Sequence, residues 1–126
     1  MTVTVLIVDD SKLARIVAAK NVHALQPEWE RIEASNADEA LAAAADGKID
    51  LALLDYNMPG MNGLELAAEL RSLYPTMPLA VITANVQDEI ITRARSVNAT
   101  FVAKPLTEDG LRGFIAGAAL RFRADG

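Results

Sequence analysis

Four apolar, largely β-branched runs stand out along the chain: VTVLIV at 3–8, IDLALL at 49–54, PLAVI at 78–82 and TFVA at 100–103. Runs of this length predict fully buried parallel strands. A less apolar segment at 31–34 completes a five-fold alternation with stretches of helical periodicity. The pattern predicts strands near 4–8, 31–34, 50–54, 79–83 and 100–103, and helices near 12–25, 37–46, 64–73, 86–97 and 108–122. Asn36 with Glu39 makes a capping box for the second helix, and Thr107 an N-cap for the fifth. Pro75 and Pro78 bracket the turn into the fourth strand. Such alternation implies βαβ units, right-handed crossovers and an α/β three-layer sandwich.

The residues just beyond the strand ends carry the chemistry. Asp9-Asp10 follows the run VTVLIV, Asp55 follows IDLALL, Thr83 follows PLAVI and Lys104-Pro105 follows TFVA. In an open parallel sheet, the carboxyl ends of the strands share one crevice, where ligands bind. Three carboxylates there repel one another, which raises their pKa values unless a cation is present. A hard divalent ion relieves the repulsion, and Mg²⁺ (or Mn²⁺) suits a few protein oxygens plus water and phosphate. Singly, each residue also has a plain reading: an Asp pair caps a helix, a Thr sits in a strand, a Lys is solvated.

Composition narrows the picture. At 126 residues the expectation is one domain, 1–126, with no separate output domain. The net charge of −5 and the lack of a Lys/Arg cluster argue against nucleic-acid binding. No apolar run is long enough to insert in a membrane, and the N-terminus lacks a signal-peptide pattern. There is no Cys, so disulfides and thiolate metal sites are excluded and a cytoplasmic location is expected.

LIVDDS, LLDYNMPGMNG, VITAN and FVAKP, in that order, resemble the receiver domain of two-component response regulators, and the likeness spans essentially the whole chain. The resemblance implies a flavodoxin-like (βα)5 fold with strand order 2-1-3-4-5. It implies Mg²⁺ held by Asp10, Asp55 and the backbone carbonyl of Asn57, with Asp9 acting through water. Asp55 would be the phosphoacceptor nucleophile, with Lys104 and Thr83 stabilising the phosphoryl oxygens. Thr83 and Phe101 would form a switch, and Lys104-Pro105 a cis peptide that aims the amine inward. Pro59, Gly60 and Gly63 would shape the turn after Asp55, where backbone must pass close to the ligand. Asn62 stands where the family often has Asp, with little consequence expected for an N-cap. Asn57 and Asn85 would tune the phosphoryl lifetime. Such a protein catalyses only its own phosphorylation and dephosphorylation.

The resemblance also implies partners: a histidine kinase or phosphotransfer protein upstream and an unidentified protein downstream, with phosphorylation-dependent dimerisation left open. On the first helix, Ala14, Val17, Ala18, Val22 and Leu25 make the core stripe, while Leu13 and Ile16 project outward as a docking surface. On the fifth, Leu111, Phe114, Ile115, Ala118 and Phe122 face the core, and Gly113 and Gly117 open a groove opposite. His23 reads as a helix-surface residue and Trp29 as hydrophobic cover. Three alternatives are a non-phosphorylated adaptor, a phosphate sink, and a haloacid-dehalogenase-type phosphatase. The last lacks its second Asp: the candidates here read Asp-Asp-Ser-Lys and Asp-Tyr-Asn-Met.

Overall fold

In a computed structural model describing residues 2–125, five strands alternate with five helices. They are β1 (Thr4–Val8), α1 (Lys12–Leu25), β2 (Glu30–Ala34), α2 (Ala37–Ala45) and β3 (Leu51–Asp55). Then come α3 (Gly63–Leu73), β4 (Leu79–Thr83), α4 (Asp88–Ser96), β5 (Thr100–Ala103) and α5 (Glu108–Asp125). All strand pairs are parallel, in the order β2-β1-β3-β4-β5. The predicted elements are all present, with α4 shorter than expected and α5 longer.

The inner strands β1, β3 and β4 are buried at every position, whereas the edge strands β2 and β5 are partly exposed. An edge strand can carry polar residues because one flank meets water, as β2 does with ERIEA. Along β1, Leu6 and Val8 enter one core, and Val5 and Ile7 the other. The first core lies under α2, α3 and α4, the second under α1 and α5. Trp29 is buried in the second core, edge-on to Phe122 with ring centroids 6.0 Å apart.

Local signals were met with two corrections. The Ser11, Asn36, Asn62 and Thr107 side chains each accept a backbone N–H in the first turn of a helix. A complete capping box forms at α3, where Glu65 reciprocates to the Asn62 N–H at 3.0 Å. At α2 the expected box is only half made: Glu39 reaches past Asn36 to the Ser35 N–H and hydroxyl. The second correction is Val17, expected in the core but 40% exposed. Ala18 and Val22 carry the packing of α1, and Val17 sits near the rim of that stripe.

Strand order sets the site. The chain leaves β1 for β2 on one side and returns to β3 on the other, so β1 and β3 are neighbours whose outgoing loops diverge. Val8 pairs with Leu54, which brings Asp9 and Asp55 level at the carboxyl end of the sheet.

Candidate functional site

Asp9 and Asp55 emerge side by side from β1 and β3, and Asp10 comes next in the loop into α1. One carboxylate oxygen from each of the three lies within 4.8 Å of the others. Asp9 and Asp55 are buried and Asp10 is exposed, so the cluster opens to solvent on one side. Burial, with the Asp55 and Asp10 charges, raises the Asp9 pKa despite an opposing hydrogen bond from the Ser11 N–H to its Oδ1 at 2.9 Å.

Lys104 closes the site from β5. Its Nζ stands 2.8 Å from Asp55 Oδ1, an ion pair by distance. The approach lacks hydrogen-bond alignment, so Oδ1 remains a buried oxygen with no well-directed donor. Burial alone would lower the Lys104 pKa, but Asp55, Asp9 and Asp10 more than offset it and hold the ammonium above its ordinary value. The Lys104–Pro105 peptide is cis, and the Lys104 N–H donates to the Thr83 carbonyl at 3.0 Å.

Thr83 is completely buried, and its hydroxyl accepts the Asn85 N–H at 3.0 Å. The pairing of Val81 with Phe101 and of Thr83 with Ala103 puts Thr83 and Phe101 on one face of the sheet. Phe101 is half-buried against the core under α4. Asn57, Pro59 and Asn85 are exposed in the loops around the site.

Gly63 has a different reason from the one expected. A Cβ there would clash with the Asp55 carbonyl oxygen, so the glycine allows α3 to approach the end of β3 closely. The Gly63 N–H also donates to the Tyr56 carbonyl at 3.1 Å, seating α3 on the strand that bears Asp55. Gly60 supplies the positive φ of +76° that the preceding turn requires.

The donors suit a hard divalent cation: all oxygen, anionic, and including a buried carboxylate oxygen without an aligned partner. Beside them an apolar cleft of about 290 Å³ runs between α1 and the β5–α5 connection, lined by Leu13, Ala14, Val17, Pro105 and Leu106. Leu13 and Val17 flank this cleft. Ile16 turns to a separate hollow with Lys20, His23 and Arg31, so the two apolar residues expected to act together front different surfaces. Gly113 and Gly117 line a larger, open cleft of about 470 Å³ with Arg71, Asn98 and Arg121 near the other end of the sheet.

Sequence reasoning missed Arg15. Its guanidinium donates to the Asp9 carbonyl at 2.7 Å and to Glu33 at 3.0 Å. Its place in the first turn of the helix just after the acidic pair was the available signal.

A family model described as the response regulator receiver domain matches residues 5–116. The chain is 40% identical over 110 residues to the positive alginate biosynthesis regulatory protein of Pseudomonas aeruginosa, covering 85% of this chain and 43% of that protein. It is 37% identical over 112 residues to the cyclic di-GMP phosphodiesterase response regulator RpfG of Xanthomonas campestris, covering 86% of this chain and 29% of that protein. The chain thus spans less than half the length of both relatives. A solved CheY-like receiver domain protein from Methanospirillum hungatei superposes with a TM-score of 0.84 at 26% identity, over 100% of both chains.

Proposed function

Because the chain belongs to the response-regulator receiver family, we propose that it accepts a phosphoryl group on Asp55 and signals by a change of surface. The observation that carries this reading is the convergence of Asp9, Asp10 and Asp55 within 4.8 Å, with the Lys104 ammonium 2.8 Å from Asp55. Asp10, Asp55 and the Asn57 carbonyl would hold Mg²⁺, with Asp9 acting through water. Bound there, the ion supplies charge neutralisation for the phosphoryl oxygens.

The transfer is a displacement at phosphorus. An Asp55 carboxylate oxygen forms the new P–O bond while the P–N bond of a donor phosphohistidine breaks, and the imidazole leaves with the electron pair. Lys104 shifts from the Asp55 carboxylate toward the arriving phosphoryl oxygens; its raised pKa keeps it cationic for that role. The Thr83 hydroxyl gives up the Asn85 N–H and donates to a phosphoryl oxygen. Phe101, two residues from the position paired with Thr83, moves inward after it. Hydrolysis of the acyl phosphate returns the carboxylate, at a rate set in part by Asn57 and Asn85 beside the water's path.

The phosphohistidine donor is a histidine kinase or phosphotransfer protein in the cytoplasm. The Leu13–Val17–Leu106 cleft, which reaches Asp9 and Lys104, suits the apolar side of its helix. The output face is made by α4, β5 and α5. No helix among the described residues is long and apolar enough to cross a membrane.

Intact-mass spectrometry after incubation with acetyl phosphate tests the reading. Wild type should gain one phosphoryl mass only with Mg²⁺, and Asp55→Asn none. A wild type that neither labels nor binds beryllofluoride would instead be a non-phosphorylated adaptor.

A further inference from the structure

We propose that Arg15 is a positioning residue for the metal site, holding the peptide that joins Asp9 to Asp10. The inference rests on the receiver reading above. The Asp9 carbonyl and the Asp10 N–H belong to one planar unit, so a bond to that carbonyl orients both residues. Arg15 Nη1 supplies that bond at 2.7 Å. On its other side, Arg15 Nε donates to Glu33 Oε1 at 3.0 Å, and the arginine side chain is 15% exposed against 45% for Glu33. The guanidinium is thus braced between the end of β1 and the edge strand β2.

The other anchors of Asp9 hold this plane less directly. Its N–H donates to the Ala34 carbonyl at 3.1 Å, which fixes the preceding peptide, and its carboxylate accepts the Ser11 N–H. The Asp10 carboxylate is exposed, and no hydrogen bond from another described residue holds it. The direction of Asp10 therefore depends on its backbone, which Arg15 and the Ser11 N–H hold together. Partners outside the ligand set commonly change metal affinity in this way.

The proposal predicts a sign opposite to simple electrostatics. Arg15 is a cation bonded to the Asp9 carbonyl at the edge of the acidic cluster, so removing it would by charge alone tighten a divalent ion. If it positions the ligands, removal loosens the ion. Mg²⁺ titration monitored by the amide NMR shifts of Asp9, Asp10 and Ser11 in the folded protein distinguishes the two.

Arg15→Ala should bind Mg²⁺ about tenfold more weakly than wild type. Arg15→Lys, which can reach the carbonyl but not brace against Glu33 as well, should bind more weakly than wild type and more tightly than Arg15→Ala. An Arg15→Ala protein that binds Mg²⁺ as well as wild type or better overturns the proposal, even if it melts earlier. Should that variant not fold, Arg15→Lys, which keeps the charge, decides: it must bind more weakly than wild type, and equality overturns the proposal. If wild type itself shows no Mg²⁺-dependent shifts, it is the receiver reading that has failed.

Discussion

The two ends of the sheet treat buried charge in opposite ways. At the amino-terminal end, the Arg71 guanidinium donates to four carbonyls, those of Tyr74, Pro75, Val97 and Asn98, at 2.9–3.1 Å. It ties the end of α3 to the end of α4 and satisfies carbonyls that helix termini leave without partners. The Tyr74 hydroxyl adds a bond to the Ala44 carbonyl at the end of α2. At the carboxyl end, three carboxylates converge, Asp9 is held above its ordinary pKa by burial, and Asp55 Oδ1 lacks an aligned donor. One end is saturated and serves the fold. The other carries an electrostatic cost that Lys104 offsets only in part, and a bound cation would relieve the rest.

The contrast is sharpest where the two ends should respond to substitution with opposite sign. Arg71→Ala leaves four carbonyls without their charged partner and should cost about 2–4 kcal/mol, lowering the thermal midpoint by about 10 °C. Arg71→Lys should recover only part, since one ammonium cannot span both helices. A loss below about 1 kcal/mol would place the clamp among surface interactions.

Gly113 and Gly117 come next. No atom lies within 4 Å of a Cβ placed at either, so Gly113→Ala plus Gly117→Ala should add up to about 2 kcal/mol through helix propensity alone. If partner binding survives unchanged, the two glycines are a local weakness of α5 rather than part of the output face.

At the site, substitution should again stabilise, in contrast to Arg71. Without Mg²⁺, Asp9→Asn should raise the thermal midpoint by roughly 2–4 °C at neutral pH, because it removes a charge that burial disfavours. A carboxyl with a raised folded pKa favours the fold while protonated and opposes it as pH rises through that value. The gain should therefore vanish below about pH 4, where the unfolded carboxyl is also protonated. Saturating Mg²⁺ should stabilise wild type more than the variant. A variant less stable than wild type in Mg²⁺-free buffer at pH 7 would contradict the account.

Lys104 gives the smallest effect. Its pKa is raised on folding, so its contribution is complete below the unfolded lysine value of about 10.4 and lost as pH rises through the folded one. Wild type should accordingly lose midpoint more steeply than Lys104→Gln in alkaline melts. The side chain is about one-third exposed, so screening keeps the difference small.

Much of the molecule was legible because it depends on pattern. Buried parallel strands need continuous apolar runs, and the four clearest runs became strands within a residue or two of the expected limits. Asp9, Asp10, Asp55 and Lys104 were expected together because strand ends in a parallel sheet share one edge, and they meet there. Thr83 reached the same edge but on the face shared with Phe101, a distinction that depends on strand register.

Misreadings fell where the packed geometry, and not the local pattern, chose the neighbour. Val17 satisfied the helical periodicity of a core residue, yet the cleft beside Pro105 and Leu106 leaves it open to solvent. Glu39 had the spacing of a capping box, but the hydroxyl and N–H of Ser35 offered a closer pair of donors. Gly63 looked like a turn residue and proved to be the point where α3 touches the carbonyl of Asp55.

The sequence by itself determined the alternation of elements, the two cores and the acid–lysine edge. Each stems from hydrophobic period and from where a parallel strand must end. Only the tertiary structure decided what Arg15 and Arg71 do. A long cation has several carbonyls and carboxylates within reach in any chain, and its partner is chosen by which helix and strand ends the packed sheet brings together.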